Sequence, residues 1–127
     1  MRIYVTLLWL ILVSCEKQND FPEIVGTWDW VFSKGGIAGL TIKPTALDNR
    51  QMIFDAGGNY TFKKNRTVLV STKYKLENVK SITSNEPVPS ITFPSNDAMT
   101  FSYSIKGDSL FLFEEVYDGF GYTYVRK

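Results

Sequence analysis

The chain has 127 residues, of which 44% are hydrophobic, 21% charged and 15% aromatic, the balance of one globular domain rather than a disordered tail. With no histidine and a single cysteine, Cys15, it excludes His- or Cys-rich zinc sites, a Ser-His-Asp triad, a Cys-His pair and an internal disulfide. All 13 acids follow Cys15 while one of the 14 bases, Arg2, precedes it; from Cys15 onward the charges cancel, which gives no global field for nucleic acid.

Met1-Arg2 is a short basic start, and residues 3–13 are apolar except for Thr6. That run falls short of the roughly 20 residues that span a bilayer and matches the apolar region of a signal peptide. It closes in Leu12-Val13-Ser14-Cys15, which resembles the bacterial lipobox. The resemblance implies a signal peptide over residues 1–14, a diacylglycerol on the Cys15 thiol, cleavage before it and acylation of the new amine. Several acyl chains, at about 0.8 kcal/mol per buried CH₂, make a stable membrane anchor. The implied location is the cell envelope, at the outer membrane, with the periplasmic and surface faces both open. Glu16-Lys17-Gln18-Asn19-Asp20 is polar, so residues 15–22 read as lipidated cysteine plus tether, and 23–127 as the folded domain.

Within that domain every segment reads as a strand bounded by turn residues, with no sustained helical period. Residues 24–33 put Ile24, Gly26, Trp28, Trp30 and Phe32 on one face. Gly35 to Gly39 breaks the pattern, and a loop follows to Asn49, with one short extended piece over 40–43. Residues 50–55 and 60–64 form a hairpin about Ala56-Gly57-Gly58-Asn59. After Asn65-Arg66 a longer strand covers 67–77, continued by 79–83. Residues 84–90 contain Pro87 and Pro89 and read as a loop outside any sheet, followed by at most a short strand at 91–93. Met99, Phe101, Tyr103 and Ile105 then alternate with polar residues. Residues 109–115, apolar on both faces, and 121–126 complete the series.

About eight strands joined mostly by tight turns predict an all-β, antiparallel up-and-down barrel, with a two-sheet β-sandwich as the alternative. Gly26-Thr27-Trp28 at the opening of such a meander resembles the Gly-x-Trp signature of the lipocalin and fatty-acid-binding-protein superfamily. After a lipobox tether, and with Gly35-Gly36-Ile37-Ala38-Gly39 following, the domain looks like the small lipocalin-like lipoproteins of Bacteroidetes. The resemblance implies that Trp28 closes one end of the barrel and that Arg126, near the end of the last strand, packs over its indole. It departs from true lipocalins in its shorter length, and from fatty-acid-binding proteins in lacking a helix pair.

Three classes of function follow. Inward aromatics could surround a small apolar ligand: Trp30 and Phe32 on the first strand, Tyr60 and Phe62 on the hairpin, Tyr74 beyond it, and Phe101, Tyr103 and Tyr122 near the end. The same rings could equally fill a closed core. Lys63, Lys64, Arg66, Lys73, Lys75 and Lys80 against Glu77 make a basic stretch that could meet an envelope protein or an anionic glycan, although solvated strand lysines are commoner. An enzyme would need carboxylates, but Glu114 and Glu115 are adjacent on a strand and point to opposite faces. The expectation is a lipid-anchored, non-enzymatic binding or interaction module without metal or cofactor.

Overall fold

Runs rich in aromatic and β-branched residues, cut by Gly, Asn and Asp turns, can bury their apolar sides only against one another. In the computed structural model, which describes residues 21–96 and 99–127, they do so as ten antiparallel strands. These are β1 (Gly26–Gly35), β2 (Leu40–Ile42), β3 (Arg50–Phe54), β4 (Asn59–Lys64) and β5 (Thr67–Lys73). They continue with β6 (Lys75–Lys80), β7 (Pro87–Thr92), β8 (Thr100–Lys106), β9 (Ser109–Glu114) and β10 (Phe120–Arg126). The expected signal segment, Cys15 and the tether up to Asp20 lie outside the described residues.

The sheet order is β5-β4-β3-β1-β10-β9-β8-β7-β6, with β2 paired to β1 beside this path. Both ends of that ribbon belong to one stretch of chain, because β5 and β6 are separated only by Tyr74. The sheet therefore curls round into a barrel. Counting β5 and β6 as one bent strand and setting β2 aside gives the eight strands expected. The bend serves two partners: β5 ladders to β4, and β6 ladders to β7. Tyr74 anchors the corner, its backbone N–H donating to the Gly58 carbonyl at 2.9 Å and its hydroxyl to the Asp55 carbonyl at 2.7 Å.

The first and last strands meet along a ladder running from Trp28 opposite Arg126 to Gly35 opposite Phe120. One continuous sheet thus replaces the two-sheet alternative. Inside it Ile24, Trp28, Trp30, Met52, Phe54, Tyr60, Ile91, Phe93, Tyr103, Leu110, Leu112 and Tyr124 form a single buried cluster. Ring contacts run unbroken across the interior from Phe54 through Tyr60, Phe93 and Phe101 to Tyr122, with centroids 4.8–6.3 Å apart.

Three expectations are corrected. Pro87 and Pro89 do not lie outside the sheet but within β7, opposite Lys80 and Asn78 of β6. The second neighbour, β8, pairs β7 only along Ser90–Thr92, so the missing N–H groups of both prolines face an edge where no ladder needs them. Phe32 does not continue the inward face of β1. The register runs from Trp30 opposite Tyr124 to Phe32 opposite Thr123, leaving Val31 as a β-bulge that reverses the alternation. Ser33, only 1% exposed, takes the inward place instead. Finally, Met99 precedes β8 and is exposed rather than sharing the inward face of Phe101 and Tyr103.

Candidate functional site

The barrel is latched by two arginine–tryptophan contacts, both built on β1. At one end Trp28 is fully buried, its indole N–H donating to the Ile24 carbonyl at 2.8 Å. The Arg126 guanidinium lies over the indole, 4.2 Å from the ring centroid, and its Nη1 and Nη2 donate to the Val25 and Glu23 carbonyls. Gly26 is the residue that lets it in. Its φ is +144°, and a Cβ there would sit 2.7 Å from Arg126 Nη1. The Tyr103 hydroxyl donates to the Pro22 carbonyl, so the last residue of the expected tether is already fastened to the barrel.

The second latch is Arg50, whose guanidinium lies 4.1 Å from the centroid of Trp30. Asp48 grips it with both oxygens, at 2.9 and 3.0 Å, and the hydrogen bond from Arg50 holds the Asp48 carboxyl below the usual carboxylate range. Trp30 Nε1–H donates to Ser33 Oγ at 2.8 Å, which explains why the bulge matters: it places an acceptor against a buried indole. Alternation along Arg50, Met52 and Phe54 could have put Arg50 on the inward face. The bulge left no mark in the residue pattern, so Ser33 could not be found.

Of the eight aromatics expected inside, Trp30, Tyr60 and Tyr103 are buried in the cluster, and Phe62, Tyr74, Phe101 and Tyr122 pack against it partly buried. Phe32 is excluded from that group by the bulge. Burial pushes the Tyr60, Tyr103, Tyr122 and Tyr124 phenols well above their ordinary range, and for Tyr122 a hydrogen bond to Glu114 adds to the effect. Glu115 accepts from the Ile82 N–H at 2.8 Å. Glu114 is the last residue of β9 and Glu115 lies just beyond it, and both border one cleft with Ser81 and Tyr117.

A cleft at one seam of the barrel touches this interior. Among the described residues β5 is laddered to β4 alone, and its far edge faces the connection between β7 and β8, joined there by a hydrogen bond between Thr72 and Ser95. A cleft of about 480 Å³ lies along this seam, with Leu69, Val70 and Met99 at its rim and the rings of Tyr60 and Phe93 at its floor. Val68, Leu69 and Val70 are 51%, 56% and 40% exposed, an unusual density of bare apolar side chains for an edge strand.

The basic stretch does not act as one patch. Lys64 lies 3.8 Å from Asp48 and Lys75 lies 3.5 Å from Glu77, so both are drawn into ion pairs. Lys63 and Arg66 instead border a separate cleft on the outer face of β1, β3 and β4, together with Lys127 from the far end of the sequence. Among the described residues no cluster of three carboxylates or thiols is placed to hold a metal ion. Neither family models, nor curated proteins, nor solved structures give a match to this chain.

Proposed function

We propose that this chain is a lipid-anchored envelope protein, held to the outer membrane through Cys15, whose barrel serves as a non-enzymatic binding module acting through its outer surface. The observation that carries this reading is the filled interior: twelve side chains are buried in one cluster, between latches at Trp28 and Trp30. A barrel whose inside is occupied by its own rings must recognise partners with its loops and outer face. Kinship with the small lipocalin-like lipoproteins is supported by Gly26, Trp28 and Arg126 coming together where the first strand meets the last.

Metabolic labelling with an alkyne-bearing palmitate tests the anchor. Wild type should be labelled and sediment with membranes, while Cys15→Ala should lose the label and become soluble. Persistent labelling of Cys15→Ala, or a soluble wild type, refutes it. The seam cleft favours a second reading, in which a small apolar molecule rests on Tyr60 and Phe93. Native mass spectrometry of protein extracted from its own membrane separates the two. A mass equal to the acylated chain supports the packed module, and a stoichiometric adduct that disappears in Val70→Trp supports the ligand.

A further inference from the structure

The outer cleft bordered by Lys63, Arg66 and Lys127 has a volume of about 660 Å³, within the roughly 300–1,000 Å³ range of small-ligand sites. Its floor is a single rung of the sheet: Asp29 on β1 stands opposite Gln51 on β3, which stands opposite Lys63 on β4. All three alternate with inward residues and so face out. Lys127 joins from beyond β10, its N–H bonded to the Thr27 carbonyl. Three cations from two separate parts of the chain, the β4–β5 hairpin and the residue after β10, therefore border one concavity. Among the described residues none of them makes an ion pair, whereas Arg50, Lys64 and Lys75 all do.

Arg66 is held there at a conformational cost. Asn65 and Arg66 have φ of 52° and 67°, the two left-handed positions of a tight hairpin turn whose second residue is by preference glycine. The turn is also pinned. Asn65 Oδ1 accepts from the Asn49 N–H at 2.9 Å, and its amide donates to the Leu47 carbonyl at 2.7 Å. A charged side chain in a strained, anchored turn is the arrangement expected of a residue aimed at something.

A cleft for a bare anion would not keep a carboxylate on its floor. Asp29 Oδ1 accepts from the Gln51 amide at 2.8 Å, and its other oxygen makes no hydrogen bond among the described residues. Carboxylate and amide groups beside cations suit a ligand with both hydroxyls and acidic groups. We infer that this face binds an acidic saccharide, with Lys63, Arg66 and Lys127 taking its acidic groups and Asp29 accepting from its hydroxyls. The inference rests on the outer-surface reading above and names its ligand class.

The test titrates full-length protein in detergent with a labelled sulfated tetrasaccharide, with inorganic phosphate, and with phosphatidylglycerol vesicles. Lys63→Glu with Arg66→Glu should weaken tetrasaccharide binding by about tenfold or more, from about fivefold per lost surface contact. Lys73→Glu with Lys80→Glu changes net charge equally outside the cleft and should stay within about twofold. Asp29→Asn should weaken the tetrasaccharide by about threefold or more while tightening inorganic phosphate, since it removes an acceptor and a repulsive charge together. Melting temperatures of all variants confirm that they fold. Equal losses in both charge-reversal pairs, tighter saccharide binding by Asp29→Asn, vesicle binding without saccharide binding, or no binding at all would each overturn the inference. The palmitate and fractionation results are untouched by any of these, so a failed ligand and a failed anchor can be told apart.

Discussion

Replacing Arg126 by alanine removes the group that ties the last strand to the first. The cation–π contact with Trp28, 4.2 Å from the ring centroid and over a fully buried indole, contributes about 1–2 kcal/mol. The hydrogen bonds to the Val25 and Glu23 carbonyls lie on the exposed side, which holds each to about 0.5–1 kcal/mol. Together Arg126→Ala should lose about 2–4 kcal/mol from a domain whose whole stability is of order 5–15. In thermal melts that is a fall of about 10 °C or more. Arg126→Lys keeps a charge near the ring but not the planar fork, and should fall between the two. Urea titration followed by far-UV circular dichroism measures the loss. Crossing Arg126→Ala with Trp28→Phe should reveal a coupling of about 1 kcal/mol. A loss below about 0.5 kcal/mol for Arg126→Ala would show that the cylinder does not depend on this closure.

The same geometry sets the cost of other changes. Gly26→Ala forces a side chain into φ +144° and against Arg126 Nη1, and should cost about 1–3 kcal/mol by urea titration, with part of that cost vanishing in an Arg126→Ala background. Ser33→Ala leaves the buried Trp30 N–H without its acceptor and should cost about 1–3 kcal/mol, against near-neutral behaviour for Ser104→Ala on the exposed face. High pH should unfold the protein cooperatively. The buried phenols of Tyr60, Tyr103 and Tyr124 and the partly buried one of Tyr122 hold their protons above the ordinary value of 10.0, whereas an unfolded chain releases them near it. Their contribution is therefore complete below pH 10 and lost as pH rises beyond it. Phenolate absorbance should appear together with loss of far-UV signal, and gradual phenolate formation in a still-native protein would contradict the burial.

Strand positions were legible where alternation was clean, as at Phe101, Tyr103 and Ile105, and the turns at Asn65-Arg66 and Gly107-Asp108 followed from their residue types. What escaped were features that need a neighbour to exist. The bulge at Val31 is a mismatch between β1 and β10, invisible in either strand alone, and it moved Phe32 out and Ser33 in. Pro87 and Pro89 look like a break in the sequence because a proline's tolerance depends on whether the next strand reaches it, which only the short pairing between β7 and β8 decides. The outer cleft is divided among Asp29, Gln51, Lys63, Arg66 and Lys127, and no local window joins the neighbouring Lys63 and Arg66 to the other three. The basic stretch is a run only in sequence, since two of its lysines pair with Asp48 and Glu77.

Both latches draw on strands that flank β1. Arg126 arrives from β10 on one side and Arg50 from the start of β3 on the other, each covering a tryptophan two residues from its counterpart. The first strand is thus the axis about which the sheet is fixed, with β3 held by one guanidinium and β10 by the other. Such a design suits a short chain. An eight-stranded cylinder is only just wide enough for its own side chains, and here tryptophans, phenylalanines and tyrosines occupy that width. A cavity inside would have to be carved from the rings that supply the core. Variation on the outer face costs far less, because a surface residue that touches no core ring can change with little effect on folding. For a chain of this length, stability and recognition are therefore most readily separated by placing one inside the barrel and the other on it.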